Sequence, residues 1–380
     1  MIDSAVKNKL MTEIPAYLAY SPIDVEVFPD SYVSARAYFL SLLARIRHLN
    51  PQHQSHPCVG QTPEGASLFT DSLLLGCENA DKVVVIIAGT HGVEGFVGSA
   101  IEFDHIGLIA SGQFVIPEHT AILIVHALTP WGYAWLRRCD EDGVDLNRNA
   151  VNFSLPLPEN SGYELLKDYL FSSDYEQRKI AFAAFEHQHG RAALEIAISG
   201  GQYTDPAGPF YGGNKPAHGR QVTEQLIQQF KLHEKSLAVI DLHSGLGPYG
   251  YGEIICDHPL DSPGIDVAQT WYGDSVSLPA LGTSSSVPKA GLIDYLWHGI
   301  MNDRSCHVTL EFGTYSTDHL FEVILTDHRL WAQPDNRSAR REHSQSMRRH
   351  FYPNDADWKA SVLFRARQVI AQALRGLAQA

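Results

Sequence analysis

Apolar positions follow two rhythms along this chain. Tyr38, Phe39, Leu42, Leu43 and Ile46 recur at helical spacing behind Asp30 and Ser31, which predicts an amphipathic helix capped by one of those polar residues. The rhythm then changes. Lys82 to Gly89 (KVVVIIAG) is a short β-branched run bounded by turn residues, and Glu94 to Leu108 follows at helical length, so a buried strand feeds directly into a helix. Thr120 to His126, Leu237 to Leu242 and Cys306 to Phe312 read as further buried strands, and Tyr251 to Asp257 as another; helical stretches near 163 to 190 and 219 to 234 lie between them. The alternation predicts an α/β fold, a mixed, mostly parallel twisted sheet with helices on both faces. Residues 199 to 217 are dense in Gly, Pro and aromatics and predict a long loop. Behind Asp357, the residues Trp358, Val362, Leu363, Val369, Ile370, Leu374 and Leu377 predict a docked terminal helix. Two units are expected: an N-terminal helical segment or small subdomain over 1–75, packed on a main domain over 76–380.

Composition narrows the partners. With 380 residues, 44% of them hydrophobic, the chain buries a large core, and a net charge of −14 makes phosphate backbones and anionic membranes poor partners. No nucleic-acid or membrane role is expected. Arg340, Arg341, Arg348 and Arg349 form a basic patch in this acidic chain, which reads as a solvated helix face. Five scattered cysteines without a Cys-x-x-Cys pair read as reduced thiols rather than a disulfide scaffold or a thiolate zinc site. The opening residues lack a basic segment followed by a long apolar run, and no run approaches the roughly 18 residues of a membrane span. A cytoplasmic protein is expected, with oligomeric state left open.

Four places carry candidate chemistry. His91-Gly92-Val93-Glu94 sits directly after the strand VVVIIAG, where ligands gather in open α/β sheets. A His and a Glu three apart converge on one metal as the chain turns; the plainer alternative is a polar helix start. His243, again at a strand end, is the natural third ligand, unless it is a core histidine satisfied by a carbonyl. Two imidazoles and one carboxylate leave a coordination position open, as in a catalytic rather than a structural zinc set. Such an ion lowers the pKa of water and polarises a carbonyl, which suits hydrolysis near neutral pH. Asn147 and Arg148, in Asp145-Leu146-Asn147-Arg148-Asn149, make a fork for a carboxylate; the alternative is an Arg–Asp structural pair. Glu311 is a lone acid in an apolar strand, and its burial beside a metal would fit a general base.

The order His91-x-x-Glu94, Arg138, Gly143-Val144-Asp145-Leu146-Asn147-Arg148-Asn149, His243-Ser244 and Glu311 resembles the zinc carboxypeptidase family and its aspartoacylase-type deacylase relatives, over about residues 80 to 320. Thr129-Pro130-Trp131-Gly132 is similar to that family's Asn-Pro-Asp-Gly turn, and Gly291-Leu292-Ile293-Asp294-Tyr295 to a segment before its catalytic Glu. Residues 243 to 248 match a bacterial branch with a His-Ser/Thr-Gly-Leu-Gly-Pro segment. The resemblance implies one zinc per chain held by His91, Glu94 and His243, with Glu311 activating water and passing the proton to the leaving amine. Arg138 would steady the oxyanion, with Arg137 as its neighbouring alternative. Asn147 and Arg148 would hold a substrate carboxylate, and Asp145 would accept the other ring N–H of His91. The expected function is zinc-dependent cleavage of an amide bond next to a free carboxylate in a small peptide, with an acylated amino acid as the alternative substrate and an inactive ligand-binding relative as the third reading.

The chain also departs from the pattern. The family's mobile tyrosine has no counterpart in Leu281 to Lys289 (LGTSSSVPK), so Tyr203 and Tyr211 of the Gly-rich loop become the candidates to cover substrate, with Tyr211 preferred, against the alternative that both pack. Gly245-Leu246-Gly247-Pro248-Tyr249-Gly250 matches a dinucleotide-binding pattern, but Pro248 sits inside the turn and a strand follows instead of the helix that would receive a pyrophosphate. No G-x-S-x-G is present, and Ser284 to Ser286 lack the second glycine of a nucleophile elbow. Asp241, two residues before His243, leaves a second metal in an aminopeptidase-like pair open. Other histidines, including His126, His298 and His307, read as core or surface residues.

Overall fold

The computed structural model describes residues 22–77, 79–172, 174–333 and 335–379. The opening stretch read above for a leader lies outside them. Eight strands form one sheet: β1 (Gln52–Gln61), β2 (Ser67–Gly76), β3 (Lys82–Ile87), β4 (Thr120–His126), β5 (Ser236–Ser244), β6 (Gly252–Ile255), β7 (Val276–Ser277) and β8 (Cys306–Phe312). Their spatial order is β1-β2-β4-β3-β5-β8-β6-β7. The central four, β4-β3-β5-β8, are parallel, while the β1–β2 hairpin and β6 join antiparallel, giving the mixed sheet expected. Both faces of the centre are covered, so its strands carry no polar alternation: Val83, Val84, Val85, Ile86 and Ile87 are all buried.

Helices close both faces. Helix α1 (Tyr32–Arg45), capped by Ser31, α2 (Gly95–Ala110) and the terminal helix Ala356–Gln379 pack on one side around Phe39, Phe103, Val362 and Ile370. Between α2 and that terminal helix the chain forms α3 (Pro130–Trp135), α4 (Ser161–Leu170), α5 (Tyr175–His189), α6 (Arg191–Ser199), α7 (His218–Gln229), α8 (Pro263–Tyr272), α9 (Asp294–His298), α10 (Thr317–Trp331) and α11 (Arg337–Phe351), which makes the terminal helix α12. Helices α7 and α9, with Ile293 just before α9, cover the opposite face through Val222, Leu226, Ile293 and Trp297. A third apolar group, from α4, α6, α10 and α11, stands over the carboxyl ends of the strands.

The residues before 76 contribute the expected helix α1, but they also supply the β1–β2 hairpin, which hydrogen-bonds to β4 and so extends the main sheet. Strand β1 (QHQSHPCVGQ) is a polar edge strand and has no apolar run to announce it. The basic patch on α11 has local work: Arg340 donates to the carbonyls of Leu330, Trp331 and Gln333 at the end of α10, and Arg348 stacks 4.7 Å over Phe96. Among the described residues, no helix is long and apolar enough to cross a membrane.

The topology decides where a ligand meets the sheet. From β3 the chain runs to β4 on one side, then returns to β5 on the other, so the order reverses between β3 and β5. Reversal leaves a crevice at the carboxyl ends of those two strands.

Candidate metal centre and active site

His91 follows β3 into that crevice, and Gly92–Glu94 forms a single tight turn that brings Glu94 back beside it. The turn is pinned from below. Gly92 N–H donates to Arg138 O (3.0 Å) and Val93 N–H to Arg137 O (2.8 Å), which seats Arg138 against the ligand pair. Gly92 has no room for a side chain: a Cβ there would lie 2.2 Å from Gly132 C and 2.3 Å from Tyr133 N. Strand β5 delivers His243, and its register sets His243 opposite Glu311 on β8.

Three atoms then converge. His91 Nδ1 lies 2.9 Å from Glu94 Oε1, His243 Nδ1 lies 3.1 Å from Glu94 Oε2, and the two Nδ1 atoms are 3.1 Å apart. All three side chains are buried. Zinc bonds of about 2.0–2.1 Å in a tetrahedron put ligand atoms about 3.3 Å apart, close to the observed spacing. Each imidazole turns its other nitrogen to a carboxylate: His91 Nε2 lies 3.2 Å from Asp145 Oδ1 and His243 Nε2 lies 2.9 Å from Asp241 Oδ2. That arrangement leaves both Nδ1 lone pairs facing a shared point, as a divalent ion needs. The donor set therefore fits zinc.

Arg138 is threaded through this group, its Nε 3.0 Å from Asp145 Oδ2, its Nη1 3.0 Å from Glu94 Oε1 and its Nη2 2.7 Å from His91 Nε2. Arg137 points elsewhere, into a buried pair with Asp327 (2.7 Å) and onto the Trp331 ring. The two carboxylates at the centre are driven apart electrostatically. Burial pushes Glu94 up, but the imidazoles of His91 and His243 outweigh it and hold Glu94 below the usual range. Burial and then the charge of Glu94 push Glu311 up to about 7. Glu311 Oε1 accepts from Leu246 N–H at 3.0 Å. Asp145 would be raised by burial, yet Arg138, His91 and Arg148 hold it well below the carboxylate range.

His91, Glu94, Arg138, His243 and Glu311 line one partly enclosed cavity, about 70 Å³ for the centre of a water molecule, together with Asn147 and Arg148. Asn147 Oδ1 accepts from Ile293 N–H (2.8 Å), which fixes the orientation of its amide. Arg148 is fully buried against Phe210 and donates from Nε (3.1 Å) and Nη2 (2.6 Å) to Ser199 O, and from Nη1 to Asn147 O.

Tyr211 does not join them. Its side chain is buried in the apolar cluster with Val144 and Leu146, and its carbonyl accepts from Asp145 N–H (2.8 Å), so the residue packs behind the Asp145 loop. Tyr203 donates to Arg148 O (2.6 Å) and likewise sits behind the fork. Among the described residues, no tyrosine lines the cavity. The 281–289 stretch contributes Lys289 to the cavity, its ammonium pushed down to about 8 by burial and by Arg148. Asp257 and Asp294 line the same end, raised to about 7 and about 6 by burial and by neighbouring charge. Their approach depends on loop geometry, although Asp257 does close a strand that the sequence shows. Asp241, weighed above as part of a second metal, accepts from Thr90 Oγ1 (2.8 Å) and braces His243.

Comparison with known proteins bears on the family and the fold. The family model described as "Protein of unknown function (DUF2817)" matches residues 28–365. The chain belongs to that family. No curated protein matches it significantly. Among solved structures, carboxypeptidase A from Helicoverpa armigera superposes with a TM-score of 0.55 at 14% identity, covering 99% of this chain and 81% of that one. Bovine thrombin-activatable fibrinolysis inhibitor, in complex with tick carboxypeptidase inhibitor, reaches 0.46 at 12% identity over 96% and 99% of the two chains. An aspartoacylase family protein from Mesorhizobium loti reaches 0.35 at 14% identity over 69% and 61%. Of these three only the first is similar enough to bear on the fold, and it shows that this chain shares the architecture of a carboxypeptidase A.

Proposed function

We propose that this protein is a zinc-dependent hydrolase that cleaves an amide bond next to a free carboxylate, in the manner of a metallocarboxypeptidase. The convergence of His91 Nδ1, His243 Nδ1 and the Glu94 carboxylate, with a base of raised pKa beside them, carries the reading. An ion held there would polarise a carbonyl oxygen and make water easier to deprotonate.

The chain supplies the rest. Glu311, with an affinity for protons tuned near neutrality, takes a proton from the attacking water and returns it to the departing amine. His91 Nε2 has two competing partners: when protonated it donates to Asp145, and Arg138 Nη2 is then free to turn toward an oxyanion. Asn147 and the second hydrogens of the Arg148 Nη atoms face the substrate carboxylate, and Lys289 adds positive charge at the same end. A deacylase acting on small N-acyl amino acids is the second reading, favoured by the small, partly enclosed cavity. The five cysteines are all free thiols, which supports a reducing, cytoplasmic setting.

The test is metal content by mass spectrometry on wild type, His91→Ala and His243→Ala, with circular dichroism to verify folding. The expected result is a zinc at this site that both variants lose. Peptides with free and amidated C-termini are then compared with N-acyl amino acids. A folded wild type unable to take up zinc at these residues would remove the hydrolase reading.

A further inference from the structure

We propose a second divalent-cation site, separate from the catalytic centre, formed by Asp294, His298 and His307 beneath the inner end of the cavity. Asp294 and His298 stand four residues apart on α9 and so share one face of that turn, and β8 presents His307 to them. One ligand atom from each lies within 4.8 Å of the others, and Asp294 Oδ2 is 3.6 Å from His307 Nδ1. Ligands on one ion with bonds of about 2.1 Å stand about 3.4 Å apart. A movement of at most about 1.4 Å by the His298 ring, at the end of a five-residue helix, closes the set.

The stronger observation is what these groups lack. Asp294 Oδ1, His298 Nε2 and both ring nitrogens of His307 are buried without any hydrogen-bond partner, and His307 is wholly inaccessible. A buried polar atom left without a partner costs free energy, and of the fourteen such side-chain atoms among the described residues four meet in this one place. His258 does not relieve it: its Nε2 accepts from His307 N–H (2.9 Å) and its Nδ1 faces Ser262 Oγ. His258 instead packs against the His298 ring, with centroids 3.9 Å apart and the planes tilted by 30°. Burial first, and mutual proximity for His298, keep these rings neutral, the form in which imidazole binds metal. Two imidazoles and one carboxylate select a zinc-like transition ion over calcium or magnesium.

His307 and Glu311 are four residues apart on β8, so this site lies about 13 Å along the strand from the catalytic base. Asp294 belongs to both places, because it also lines the cavity. A cation there ties α9 to β8 and offsets the negative charge that Asp294 presents to Asp257 at the substrate end.

The experiment is zinc stoichiometry after loading and dialysis against a weak chelator, with circular dichroism as the folding control. Wild type is expected to keep two equivalents, and His298→Ala, Asp294→Asn and His243→Ala one each. Adding zinc should still raise the Tm of His243→Ala, and this shift should vanish when His298→Ala is added. The proposal is overturned if wild type keeps one equivalent that His243→Ala removes and the other two variants retain, since the pocket then holds only water. One equivalent lost in His298→Ala and Asp294→Asn but kept in His243→Ala would support this site while removing the catalytic one.

Discussion

Glu311→Gln tests the electrostatics of the centre without relying on turnover. The glutamine keeps the side-chain oxygen that accepts from Leu246 N–H and is close to isosteric, so packing is preserved. In the metal-free protein the carboxyl is raised from 4.5 to about 7 by burial and by Glu94. At about 1.4 kcal/mol per pKa unit, folding into this environment costs the ionised side chain about 3 kcal/mol. The sign follows from protons bound. Between pH 4.5 and 7 the folded state holds a proton that the unfolded state has lost, so wild-type stability falls as pH rises through that window and levels off above it. Glutamine has no such dependence. Urea unfolding of both proteins with a chelator present, from pH 4 to 8.5, is therefore expected to give nearly equal stabilities at pH 4. The variant should be more stable by about 3 kcal/mol at pH 8. Loss of hydrolysis in the same variant is expected with zinc restored. A stability gap that stays constant across the pH range would refute the placement of Glu311 as a buried, charge-strained base.

Three further outcomes are expected. Asp241→Asn removes the charge that braces His243 Nε2 and should weaken zinc binding by about 10–100-fold in competition with a chelating dye; unchanged affinity would mean the contact does not orient the ring. Gly92→Ala drives a Cβ into the Gly132–Tyr133 backbone, so a loss of about 3 kcal/mol in thermal or urea unfolding is expected, with impaired zinc uptake; a wild-type Tm would contradict the packing. Arg148→Lys keeps the charge but loses the planar fork, so KM for free-carboxylate substrates should rise at least about tenfold with kcat less affected; an equal loss for amidated substrates would place Arg148 in the scaffold alone.

What the sequence shows depends on whether a residue's environment is set locally or by pairing. Strands β4 and β8 are legible to the residue because central parallel strands are buried on both faces and appear as unbroken apolar runs. The candidate metal centre is legible for a related reason: His91 and His243 sit at the ends of such runs, and a reversal in strand order brings those ends together. Strand β1 is hidden because an edge strand may not be apolar and its partner is set by the turn to β2. Tyr211 and Tyr203 are misleading because a Gly-rich loop hides which way its side chains face; here they face the back of the Asp145–Arg148 segment. His298 and His307 pass for ordinary core histidines until α9 is laid against β8.

The roles of the two central glutamates come from surroundings rather than from residue type. Both are buried, and burial alone raises each. Glu94 lies within 3.1 Å of two imidazoles and 3.0 Å of Arg138, and that positive environment reverses the shift, leaving a permanent carboxylate suited to hold a cation. Glu311 accepts one backbone N–H and faces the charge of Glu94, so it remains high and can both take and return a proton near neutrality. The two roles are therefore coupled. Removing the negative charge of Glu94, as in Glu94→Gln, should lower the Glu311 pKa in the metal-free protein, because the second cause of its rise disappears. Carboxyl titration followed by NMR or infrared difference spectroscopy reads that shift directly, and an unmoved Glu311 would show that burial alone sets the base.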